Sequence, residues 1–160
     1  MQIEISITQQ SLTVLDDDGE LLAQYPVSTA LKGAGELKGS YQTPRGPHMV
    51  RAKIGADMPI NSVFVGRRPT GEIWTPALGA QHPDRDWILT RILWLSGCEV
   101  GTNRLGNVDS MQRYIYIHGT PDDQPMGEPH SHGCVRMRNA DVMALFDMVP
   151  AGTRVLITND

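Results

Sequence analysis

Apolar and polar residues alternate with period two at the start of the chain. Residues 2–8 set Ile3, Ile5 and Ile7 against polar neighbours, and Leu12 and Val14 repeat the pattern after Gln9-Gln10, as half-buried strands joined in a hairpin do. Asp16-Asp17-Asp18-Gly19 predicts a tight turn with Gly19 at positive φ, followed by a third strand over 20–28. Near the other end, Val155, Leu156 and Ile157 predict a closing strand over 153–158. Residues 87–95 are apolar and partly β-branched, which suits a core strand, although periodicity alone leaves a short helix open. Residues 58–80 mix apolar positions with Gly and Pro and predict short strands and loops; 97–109 reads as a loop. Val142, Leu145, Phe146 and Val149 recur at helical spacing, with Asn139 as the expected N-cap and Pro150 and Gly152 as the stop. Many strands, few helices and no repeat predict a mainly β chain, a sandwich or partly closed barrel, as a single domain over 1–160.

Chemistry concentrates between Tyr114 and Asn139. Residues 114–118 are aromatic or β-branched up to His118 and are closed by Gly119, so they predict a strand with His118 at its exit. Alternation places Ile115 and Ile117 on one face and Tyr114, Tyr116 and His118 on the other. Pro121, Pro125, Gly127 and Pro129 predict a loop that returns the chain beside its own start. Extended again over 130–137, the chain would place His130, His132, Cys134 and Arg136 on one face.

A thiol becomes a strong nucleophile as thiolate, and a neighbouring imidazole both takes its proton and lowers its pKa. His118 and Cys134 are the natural pair. Gly133 permits a backbone turn that points two amides at one oxygen, an oxyanion hole. Two blander readings stand beside this one. A single Cys at a strand end is commonly a small buried hydrophobe, and His118, His130, His132 and Cys134 present a zinc-like donor set, though without a second Cys pair.

His118-Gly119-Thr120, a loop, then Ser131-His132-Gly133-Cys134-Val135-Arg136-Met137 closely resembles the signature of the L,D-transpeptidase catalytic domain, the YkuD family. The resemblance implies a YkuD-like β-sandwich with short helices, one of them after the catalytic motif. It implies Cys134 as nucleophile, His118 as general base and the Gly119 carbonyl as the group that orients the imidazole. Ser131, His132, Gly133 and Arg136 match the positions that shape the oxyanion hole and substrate cleft. Thr43-Pro44-Arg45-Gly46 resembles the family's Thr-Pro-x-Gly element, with His48 where an aromatic is usual, and Trp94 is the aromatic nearest in sequence to the expected cleft wall. The implied substrate is the peptidoglycan stem tetrapeptide or a muropeptide, cut between the L-centre of diaminopimelate and D-Ala through a Cys thioester, with no cofactor and no metal. Water as acceptor makes an L,D-carboxypeptidase; a stem amine makes a 3-3 cross-link.

The remaining features narrow partners and setting. A net charge of −4 gives no reason to expect nucleic acid or an acidic membrane as partner. No apolar run reaches transmembrane length, and no feature sets the oligomeric state. With Cys134 needed free, Cys98 is expected as a buried thiol rather than a disulfide partner. Residues 1–5 lack a signal-peptide pattern: the expectation is cytoplasmic if Met1 is the native start, and periplasmic or cell envelope if an export signal was removed. On that basis the favoured outcome is an L,D-carboxypeptidase that trims muropeptides in cell-wall recycling, with Arg136 holding the substrate's terminal carboxylate. A cross-linking transpeptidase and a non-catalytic stem-peptide-binding module are the alternatives.

Overall fold

The computed structural model describes residues 1–160. Strands β1 (Gln2–Ser6) and β2 (Ser11–Leu15) form the expected hairpin, with Ile3 opposite Val14 and Ile5 opposite Leu12, all four buried. Gly19 takes a φ of 83° in the turn to β3 (Leu21–Pro26), where a side chain would be strained. The last strand, β10 (Arg154–Thr158), lies parallel to β1 and antiparallel to β4 (Gly46–Ile54). Beyond β4 the sheet continues through β7 (Ile88–Gly97) to β5 (Ser62–Val65) and β6 (Arg68–Ile73). β7 also carries β8 (Tyr116–Gly119), and β9 (Val135–Met137) runs parallel to β8.

The sheet curls back on itself. After β3 the chain reaches β9, where Ser28 and Arg136 exchange two backbone hydrogen bonds of 2.9 Å. Ile3, Ile5, Leu12 and Val14 thereby share one core with Leu93, Leu95, Ile117, Val135 and Met137. Helix α2 (Asn139–Met148) closes that core with Val142, Leu145 and Phe146, the apolar stripe read from its spacing. A shorter helix, α1 (Pro76–Gln81), was not expected. It forms because Pro76 suits the first turn and the Thr75 hydroxyl accepts the Leu78 amide at 3.2 Å.

Four expectations need correction. Tyr114 has a φ of 57° and is exposed, so β8 starts only at Tyr116. The 130–137 stretch becomes a strand only at Val135, because Gly133 turns the chain with a φ of 131°. Asn139 is the first residue of α2 and not its cap; Arg138 holds the cap position and makes no side-chain capping bond. Cys98 is exposed, since the chain leaves β7 there and turns outward.

The irregularity that positions the site lies in β7. Leu89 pairs with Gly119 and Ile92 with His118, so Thr90 and Arg91 are the extra residues of a β-bulge opposite the His118–Gly119 step. Thr90 is β-branched, yet its φ is 74°, a conformation held only where surrounding contacts dictate it. Its hydroxyl accepts the Asn61 amide at 3.0 Å and donates to Asn139 Oδ1 at 2.5 Å.

Candidate active site

His118 is buried at the exit of β8. Its Nδ1 lies 2.6 Å from the Gly119 carbonyl; a carbonyl only accepts, so Nδ1 carries the proton and Nε2 keeps its lone pair. Nε2 has no protein partner and is not sealed from solvent, and the residue lines a cavity of about 420 Å³. Burial lowers the imidazole pKa; the Asp86 charge and the Gly119 bond work against that, and Arg136 adds to it. Gly119 sits in a close approach, where a Cβ would fall 2.5 Å from Asn139 Oδ1 and 2.6 Å from the Leu89 carbonyl. Asn139 Nδ2 donates to Asn61 Oδ1, the Thr120 carbonyl and Asp122 Oδ1 at 3.0, 2.9 and 3.1 Å. The residue read as a cap is therefore the post behind the histidine.

Cys134 is half-buried in the wall of the same cavity. Its thiol donates to the Tyr114 carbonyl and accepts the Tyr116 amide, each at 3.3 Å. Burial pushes the thiol up to about 12; the Tyr116 amide, Arg136 and Arg113 favour the thiolate and Asp86 opposes it. The resting pair is consequently a neutral thiol and a neutral imidazole. Cys98 is also free but exposed.

The turn before Cys134 is fixed from two sides. Ser131 Oγ donates to the Cys134 carbonyl at 2.5 Å and accepts the Gly133 amide at 3.2 Å. Thr43, buried in the Thr-Pro-Arg-Gly element, donates its hydroxyl to the Gly133 carbonyl at 2.9 Å and accepts the Ala30 amide at 3.0 Å. Ser131 occupies the Gly133 amide, while the His132 and Cys134 N–H groups on either side of it have no protein acceptor.

Of the four residues expected on one face, His132, Cys134 and Arg136 line the cavity together and His130 does not. His130 points away and pairs with Glu128 at 3.1 Å. His132 faces Asp86 at 3.6 Å, and Arg136 pairs with Asp86 at 3.0 Å. No three His, Cys, Asp or Glu side chains converge to hold a metal ion. The aromatic wall of the cavity is Tyr114 and Tyr116; Trp94 stands behind them, its ring centroid 6.2 and 5.9 Å from theirs. Asp86, Arg67 and Arg113 also line the cavity, and sequence reasoning missed all three. They come from separate loops with no local motif, and only the closed fold brings them to Cys134. A second cleft of about 470 Å³ lies on the other side of Asp86, His132 and Arg136, between α1 and the loop after β8.

A curled β domain with a thiol and a tautomer-locked imidazole on one cavity defines the class: a thiol–imidazole site on a mainly β scaffold. The model of the L,D-transpeptidase catalytic domain, YkuD, matches residues 1–157, and the chain belongs to that family. The Escherichia coli protein named "Probable L,D-transpeptidase YbiS" is 32% identical over 126 residues, which cover 72% of this chain and 40% of that protein. Among solved structures, an L,D-transpeptidase from Mycobacterium smegmatis superposes with a TM-score of 0.55 at 21% identity, covering 98% of this chain and 58% of that one. L,D-transpeptidase 3 from Mycobacterium tuberculosis, solved with a faropenem-derived adduct, gives 0.58 at 20% identity, covering 98% and 59%. These two similarities establish the fold. The chain spans less than half the length of curated relatives it matches.

Proposed function

We propose that the chain catalyses cysteine acyl transfer on peptidoglycan stem peptides, with Cys134 as nucleophile and His118 as base. The observation that carries this reading is the His118 imidazole, locked by Gly119 with Nε2 open to the cavity that also holds Cys134. The thiol proton passes to Nε2 as sulfur attacks the carbonyl carbon of the third stem residue. The resulting oxyanion accepts from the Cys134 N–H. Collapse breaks the C–N bond, the imidazolium gives its proton to the departing D-Ala amine, and a thioester remains on Cys134. His118 then takes a proton from the acceptor that cleaves the thioester.

Water as acceptor releases a tripeptide, and trimming of soluble muropeptides in the cytoplasm is the first reading. The cleft beyond Asp86, with room for a second peptide, favours transfer to a stem amine in the envelope as the second. Mass spectrometry of a disaccharide-tetrapeptide, incubated with wild type and Cys134→Ala with and without a second stem, tests both. Cys134-dependent tripeptide alone supports hydrolysis, a cross-linked dimer supports transfer, and no reaction in any mixture moves the assignment to a binding module.

A further inference from the structure

Three guanidinium groups line the cavity that holds Cys134, and two are already engaged. Arg113 donates to the Gly35 carbonyl and Ser40 Oγ at 3.3 Å and to the Gln42 carbonyl at 2.6 Å. Arg136, the cation expected to hold a substrate carboxylate, is paired with Asp86. Arg67 differs from both. Its one protein hydrogen bond runs from Nη1 to the Tyr116 hydroxyl at 3.1 Å, and it forms no ion pair.

This side chain is nonetheless held in place. Gly66 and Arg67 form the two-residue turn between β5 and β6, both at positive φ, 57° and 64°, the turn that joins twisted strands most tightly. From that tip the guanidinium carbon lies 4.8 Å from the ring centroids of both Trp94 and Tyr114. Both rings attract the cation, and only Nη1 has a hydrogen-bond partner in the protein, so the other N–H donors stay free. A half-exposed cation held beside two aromatic rings and by one hydroxyl, with its other N–H donors unpaired in the protein, is a ready fork for a planar anion.

We propose that Arg67 is a specificity-determining residue whose guanidinium binds a free carboxylate of the acyl donor. The inference rests on the stem-peptide reading. Two donor groups share this chemistry, the terminal carboxylate of D-Ala and the side-chain carboxylate of diaminopimelate.

Calorimetric titration in the Cys134→Ala background separates them, using the tetrapeptide, its D-alaninamide analogue and its diaminopimelic amide analogue. One amide is expected to bind about ten- to a hundredfold more weakly than the free acid, the effect of a lost charged hydrogen bond. Adding Arg67→Gln removes that preference and leaves binding of the same amide unchanged, whereas Arg67→Lys restores part of it as a charge without a fork. Equal weakening of all three peptides by Arg67→Gln, or an intact preference for the acid, overturns the inference while the stem-peptide reading stands. Failure of every stem peptide to bind overturns both.

Discussion

His48 on β4 and His118 on β8 are both buried, and each ring engages a backbone carbonyl through Nδ1, of Gly46 at 3.0 Å and of Gly119 at 2.6 Å. Burial lowers both pKa values, that of His48 to about 4. They part at the other nitrogen. His48 Nε2 is bonded to Ser110 Oγ at 2.8 Å, so the ring is a closed structural link. His118 Nε2 has no protein partner and opens on a cavity shared with a thiol. Burial and a fixed tautomer do not distinguish a scaffold histidine from a reagent; the unassigned lone pair does.

The largest expected difference follows from that contrast. His118→Gln is expected to lower turnover of a stem tetrapeptide by roughly 10²- to 10⁴-fold, the range for a removed general base. His48→Gln leaves kcat/KM within a few-fold and lowers the melting temperature instead. Steady-state kinetics and thermal unfolding of the two variants check this directly.

The acid limb of stability comes next. His48 folds with a pKa near 4 against an ordinary value of 6.5, so between those values the unfolded chain holds more protons than the folded one. Its contribution is complete above pH 6.5 and is lost as pH falls toward 4, on the order of 3 kcal/mol in total. His118 acts in the same direction. Denaturant unfolding across pH 4–7 is expected to show this slope, and His48→Gln is expected to flatten it.

Gly119→Ala probes the wall behind His118. A Cβ there meets Asn139 Oδ1 and the Leu89 carbonyl well inside contact distance, so overpacking is expected to cost roughly 1–3 kcal/mol. Activity falls with it, since the carbonyl that orients the imidazole must move. Unfolding and turnover measured on one preparation report both. The smallest effect is expected at the Cys134 side, where Thr43→Val keeps the volume but strips hydrogen bonds from the Gly133 carbonyl and Ala30 amide. A loss of roughly 1–2 kcal/mol and a few-fold slower turnover are expected by the same assays.

Period-two and helical patterns made the hairpin strands β1 and β2 and helix α2 legible, because those residues bury a regular face, whereas β7 and β10 read as apolar runs. The family signature brought His118, Gly119 and Cys134 forward from sequence alone. The supports of that pair were not legible. Nothing local tells that Thr90 takes a left-handed conformation opposite His118, or that Asn139 turns inward to hold Thr90, Thr120 and Asp122 in place of capping its helix. Arg136 read as a substrate cation because Asp86, 50 residues earlier, is invisible as its partner until the sheet closes. Strand alternation failed between His130 and Cys134 for the opposite reason: Gly133 and the Ser131 hydroxyl impose a local turn stronger than the pattern.

The central claim is that the open nitrogen of His118 serves the Cys134 thiol in acyl transfer. Quenched-flow mass spectrometry of the intact protein mixed with a stem tetrapeptide tests it most directly. The prediction is a transient adduct on Cys134 with the mass of the donor less D-alanine, absent in Cys134→Ala and formed far more slowly in His118→Gln. D-Alanine release that persists in Cys134→Ala, or an adduct whose formation rate is unchanged by His118→Gln, would contradict it.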